Sequence, residues 1–198
     1  MAIGGKFNMD AISAKVMNSR RVTSAMEQRI KQVFEKNKNE VIKEFENSSV
    51  TKEIRGGVSS SNISGILGGY GNLFSYIGFY SGEDPLAAIT DYLKNLKFQG
   101  RILKTAYQKG RISVSYSLKW YDLEAVEALS PMPWESGNSW IRGIEQGISG
   151  YSYYMYGTFV GSRSGKGKQT KNKINMAPTF SPRRYLPTII REIANRKS

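Results

Sequence analysis

The chain predicts an α+β fold: a small antiparallel β-sheet packed by a long N-terminal amphipathic helix and further helices. Three stretches carry that prediction. From Arg21 to Asn47, Val22, Met26, Ile30, Val33, Phe34, Val41 and Phe45 recur at intervals dominated by three and four. Glu27, Arg29, Lys31, Glu35, Lys36, Lys38 and Glu44 occupy the other faces, which is the period of a helix with one buried side. In "RISVSYSLKW", Ile112, Val114, Tyr116 and Leu118 alternate with Ser113, Ser115 and Ser117, as on a strand with one packed and one polar face. Near the end, Tyr185, Leu186, Ile189, Ile190 and Ile193 form another helical stripe.

In chain order, residues 1–20 read as an N-terminal arm and 21–198 as one α+β domain with a basic loop at 160–175. The long helix has Thr23 and Ser24 as capping candidates, with Glu27 placed for a capping box, and "NSS" ends it. Gly and Ser over 56–72 predict a flexible segment. Tyr70, Leu73, Phe74, Tyr76, Ile77, Phe79 and Tyr80 are too apolar for a linker, and a short buried strand or turn is expected near 73–80. Asp84-Pro85 opens a helix, the acid as cap and the proline in the first turn, with Leu86, Ile89, Leu93 and Leu96 as its stripe. "GRILKTAY" and "RISVSYSLKW" flank "QKG" as a hairpin. Residues 122–129 predict a short helix, "SPMPWESGNSW" a proline-bounded connection, and Trp140 to Gln146 a short helix or strand. The aromatic run 150–159 is β-prone.

Composition narrows the chemistry. The 198 residues hold 29 Lys and Arg against 16 Asp and Glu, a net charge of +13, which favours anionic partners. There is no cysteine and no histidine. Disulfides, thiolate nucleophiles, ordinary zinc sites and the usual general base are therefore excluded. No apolar run approaches the roughly 18 residues of a bilayer span, so no membrane is expected. No secretory signal pattern opens the sequence, and folding in a cytosol is expected.

"SRSGKGKQTKNK", residues 162–173, holds five cations and no carboxylate. It fails as a Walker loop: Gly161 and Gly165 are too close, and Lys166 is followed by Gly167 where a hydroxyl would bind magnesium. Asp122, Glu124 and Glu127 read as the solvated side of a short helix. Glu145 reads as a salt-bridge partner of Arg142 or of the basic loop. No base accompanies the many serines, so an enzyme is not expected, nor any cofactor or metal. From Gln146 to Arg191 there are eight cations and no carboxylate, preceded by Tyr151, Tyr153, Tyr154 and Tyr156 within that same stretch. Such interleaving suits single-stranded nucleic acid, whereas polar, glycine-spaced cations suit non-specific phosphate contact from a mobile loop. The candidate residues for touching nucleic acid or an acidic partner are Arg163, Lys166, Lys168, Lys171, Lys173, Arg183 and Arg184.

"GGYGNLFSYIGFYSGEDP", "PMPWESGNSWIRGIEQGISGYSYYMYG", "SRSGKGKQ" and "FSPRRYLPTIIREI" together resemble neck or tail-completion proteins of tailed bacteriophages, over most of residues 55–193. One departure is Glu145-Gln146-Gly147-Ile148, where the commoner tail-completion pattern has a compact E-x-G-T turn. The resemblance implies a structural virion protein of the head–tail junction. It would be a homo-oligomeric ring, commonly six-fold in that family, joining a portal-side connector to the tail tube or terminator, with no enzyme activity. Assembly would take place in the host cytoplasm, and genomic DNA would pass through the lumen. The other reading of the residues is a sequence-independent nucleic-acid-binding module using the basic loop and its tyrosines.

Overall fold

The computed structural model describes residues 19–67, 71–108, 111–133, 135–146, 155–159, 163, 167–169 and 182–195. Seven α-helices and three two-stranded antiparallel ladders are present among them, so the α+β class holds. The helices are α1 (Arg20–Asn47), α2 (Ser49–Arg55), α3 (Leu73–Ile77), α4 (Ala87–Asn95), α5 (Leu123–Ala128), α6 (Trp140–Gln146) and α7 (Leu186–Asn195). The ladders are β1 (Gly100–Gln108) with β2 (Arg111–Leu118), β3 (Pro131–Met132) with β4 (Glu135–Ser139), and β5 (Met155–Phe159) with β6 (Gly167–Gln169). The chain packs as two compact units. One comprises the chain up to Lys36 with Lys97–Trp120; the other comprises Asn37–Leu96 with the chain from Tyr121.

The first unit is built from the start of α1 and the β1–β2 hairpin. Ser19 opens the helix: its Oγ accepts from Val22 N at 3.4 Å and its carbonyl from Thr23 N at 3.1 Å. The expected cap at Thr23 or Ser24 is thus displaced by one turn, because both residues already lie inside the helix. Phe34 is fully buried. Its ring meets Phe98 edge-on at 5.7 Å and Trp120 at 5.6 Å, contacts worth about 0.5–1.5 kcal/mol each beyond burial. The hairpin follows the alternation: Tyr116 and Leu118 are half-buried, while Ser115 and Ser117 are exposed. A register shift falls between Ile102 and Lys104.

The second unit holds most of the described core. A run of rings threads it: Phe74 to Phe79 at 5.3 Å, Phe79 to Trp140 at 5.7 Å, Trp140 to Tyr185 at 6.2 Å, and Tyr185 to Phe45 at 5.9 Å. The long helix ends at "NSS" as expected: Ser48, with φ −56° and ψ 136°, makes a one-residue break before α2 starts. Two local expectations are corrected here. The buried strand or turn expected at 73–80 is the helix α3 followed by a turn, and Tyr80, expected to be buried, is exposed. Asn72 Oδ1 accepts from Ser75 N at 2.9 Å to start it, and Gly78, at φ 89°, ends it in a left-handed conformation that side chains resist. All five α3 residues are buried, so no alternation was there to be read. "SPMPWESGNSW" is not merely a connection either: β3 and β4 pair within it, and the buried hydroxyls of Ser130 and Ser139 lie 2.6 Å apart.

The other helices meet their sequence expectations. Asp84 Oδ1 accepts from Leu86 N at 3.0 Å just before α4, and Leu86, Ile89 and Leu93 are buried. Asp122 caps α5 by accepting from Glu124 N and Ala125 N. Tyr185, Leu186, Ile189, Ile190 and Ile193 are buried beneath α7. No helix among the described residues is long and apolar enough to cross a membrane.

Candidate functional site

The structure treats the seven candidate cations differently. Arg163 is half-buried and reaches inward: its Nε donates to the carbonyl of Gly78 at 2.6 Å, and its own carbonyl accepts from Ser81 N at 3.3 Å. A side chain at Gly78 would place its Cβ 2.7 Å from Arg163 Nη2, so this glycine serves both the turn and the arginine. Arg163 is therefore a positioning residue that ties the basic segment to the end of α3.

Arg184 is also committed. It pairs with Glu44 at 2.7 Å and with Glu192, joining α1 to α7. Those two carboxylates raise its already high pKa. Arg183 is exposed at its side chain, while its N–H donates to the carbonyl of Ile144 at 3.0 Å. Lys168 falls on β6, antiparallel to β5; this part of the expected loop is strand, because the ladder supplies its backbone with partners. Its side chain lies outside the described set, as do Lys166, Lys171 and Lys173 and the tyrosines 151, 153 and 154. Of the seven, Arg183 and Arg184 have described side chains that are exposed, and that of Arg184 is held by Glu44 and Glu192.

Two carboxylates prove more informative than the cations. Glu53 is fully buried. Its Oε2 accepts from Ser64 N and its Oε1 from Leu73 N, each at 2.7 Å. One side chain thus gathers the Gly/Ser-rich segment and the start of α3 against α2. Asn72 adds bonds from its Nδ2 to the carbonyls of Val58 and Ser60, at 3.3 and 2.9 Å. The flexible segment expected at 56–72 is, in its described part, a backbone loop clasped by these two residues, with Ile66 and Leu67 buried beneath it. The sequence did hold a signal for Glu53: it shares a helical stripe with Val50 and Ile54, both buried.

Glu145 plays the same part at the other end of the chain. Its Oε1 accepts from both Tyr185 N at 2.9 Å and Thr188 N at 2.8 Å. The expected salt bridge is absent among the described contacts of Glu145. A carboxylate at a helix start satisfies N–H groups that lack intrahelical partners and meets the positive end of the helix dipole. Arg142 instead bonds Gln146 at 3.0 Å and lies 3.8 Å from Glu127. Asp122, Glu124 and Glu127 stay at the surface, Asp122 as a cap. Each of the carboxylates brought inward is thus engaged by backbone donors, and no group of three or more acids able to hold a metal exists among the described residues.

The charge is unevenly shared between the units. The smaller one carries thirteen of the cations and three of the carboxylates, a net of +10; the larger carries sixteen and thirteen, a net of +3. The basic loop belongs to the unit that is nearly neutral overall. No protein-family model, no curated protein and no solved structure matches the chain.

Proposed function

We propose that the chain is a structural protein of the head–tail junction of a tailed bacteriophage. It would form a ring, by resemblance a six-fold one, between the portal-side connector and the tail tube or terminator. The resemblance names the class. The observation that supports it is the way its separate segments meet inside the larger unit. Phe74 and Phe79, Trp140, and Tyr185 come from three of the quoted motifs and form one run of rings. Arg163, from the fourth, bonds Gly78, and Glu145 bonds Tyr185 and Thr188. The motifs are thus parts of one scaffold, as expected if they define a fold whose role is assembly. Tyr80 and Ile63, exposed at 59% and 53%, are apolar surface that a ring neighbour would cover.

Native mass spectrometry and electron microscopy of the purified chain, alone and co-expressed with portal-side and tail proteins, test this reading. Closed rings, or incorporation into connector particles, are expected. A chain that stays monomeric at every concentration and is left out of the particles defeats it.

The charge of +13 favours a second reading, a nucleic-acid-binding module acting without sequence preference. It requires salt-dependent binding of free oligonucleotides by the isolated monomer. Absence of binding at low salt removes it.

A further inference from the structure

We infer that the β1–β2 ribbon of the smaller unit is a binding face for the phosphate backbone of double-stranded nucleic acid. The residues of this site are not those of the basic loop, and the inference does not rest on the neck assignment. Residues 97–120 contain six cations, Lys97, Arg101, Lys104, Lys109, Arg111 and Lys119, and no carboxylate. The ladder gives them order. Arg101 stands opposite Ser117, Lys104 opposite Ser115, and Gln108 opposite Arg111. Directly opposed residues of an antiparallel pair share a face, and residues two apart on one strand do as well. Register positions 101, 104, 111, 113, 115 and 117 therefore fall on one side of the ribbon.

Without the register shift between Ile102 and Lys104, positions 101 and 104 would fall on opposite faces. The shift leaves Leu103 as the extra residue and puts both positions on the serine side of the register. In the described half of the ribbon that face is open: Arg101, Ser115, Ser117 and the following Lys119 are exposed, whereas Ile102, Tyr116 and Leu118 on the other side are half-buried.

The composition of the face selects the partner. Protein interfaces centre on apolar and aromatic residues and are poor in lysine and serine. Single-strand platforms need exposed rings for base stacking, but Tyr116 is half-buried and on the opposite side. Serine hydroxyls and cations together are the groups that bond phosphate oxygens. A two-stranded ribbon of nine residues, about 30 Å long, also fits along a duplex groove. Charges on an open ribbon discourage edge pairing, but carboxylates would do so equally; the single sign calls for an anion.

Fluorescence anisotropy of the full chain with a duplex of about 25 base pairs, titrated with salt, tests the inference. Binding by the wild type should weaken steeply with salt. Replacing Arg101, Lys104, Arg111 and Lys119 with serine should weaken it roughly 100-fold at about 50 mM salt and reduce the slope of log K against log salt by about 3 to 4. The Lys166→Ser, Lys168→Ser, Lys171→Ser, Lys173→Ser variant should retain most of the affinity. Ser115→Glu with Ser117→Glu, two exposed positions, should weaken binding without disturbing the fold, and it decides the matter if the four-fold variant fails to fold. The inference is overturned by no duplex binding at low salt, by loss confined to the 166–173 variant, or by poly-glutamate competing as well as duplex at equal charge.

Discussion

The two compact units solve folding with opposite resources. The larger unit is nearly balanced in charge and holds a dense apolar core, into which it draws carboxylates as backbone clasps. The smaller rests on Phe34 between Phe98 and Trp120 and carries most of the net charge. Unlike the larger unit, it has no carboxylate anywhere in 97–120. Self-repulsion of this kind opposes compaction, so the smaller unit should be the softer one. The comparison teaches where a partner would matter: an anion adds stability to the cationic unit and has little to add to the other.

The largest expected effect tests that softness. Phe34→Ala should cost about 3–5 kcal/mol and strip hydrogen-exchange protection from the β1–β2 amides, while the amides of α2 and α3 keep theirs. Uniform loss across both units would show that they unfold together and break the comparison.

The two carboxylate clasps, Glu53 buried and Glu145 half-buried, should then separate. Glu53 uses both oxygens, one for each donor. Glutamine can satisfy one of them, so Glu53→Gln should cost about 2–3 kcal/mol and Glu53→Ala more, read from urea denaturation. Glu145 uses a single oxygen for two donors. Glu145→Gln keeps that acceptor and should cost only about 0.5 kcal/mol from the lost charge at the helix start, whereas Glu145→Ala should cost about 1–2 kcal/mol. Equal costs for the two glutamine variants would contradict the geometry.

Alkaline titration gives a further handle on the larger unit. Burial raises the pKa of Tyr76 and of Tyr185, the latter despite its 2.9 Å bond to Thr51. The unfolded chain then loses protons first as pH rises past the ordinary tyrosine value of about 10. Stability contributed by the two phenols is complete below that pH and falls above it, by up to about 1.4 kcal/mol per pH unit for each. Tyr76→Phe should flatten the decline measured by denaturation at several pH values. An unchanged slope would place the burial elsewhere.

A small effect is also expected at Arg184. Its bonds to Glu44 and Glu192 lie at the surface, with the arginine side chain 44% exposed. Arg184→Ala should cost under about 1 kcal/mol, less in high salt. A larger cost would make this ion pair part of the core.

The sequence by itself determined what rests on local periodicity and local chemistry: the long helix, the hairpin, the helix opened by Asp84, the closing amphipathic helix and the mixed fold class. Each is written in neighbours a few residues apart, so its hydrogen-bond pattern and apolar face can be read from spacing. Tertiary structure decided which distant backbone groups the inward polar side chains meet. Glu53 reaches backbone donors 11 and 20 residues away, and Glu145 reaches donors 40 and 43 residues away. Arg163, chosen from sequence as a contact residue, is drawn to a carbonyl 85 residues distant. The β1–β2 bulge likewise depends on which residues of two strands stand opposite one another. A carboxylate or arginine has the same formula whether it faces water or a buried amide; only the folded chain brings the distant donor or acceptor that makes burial tolerable.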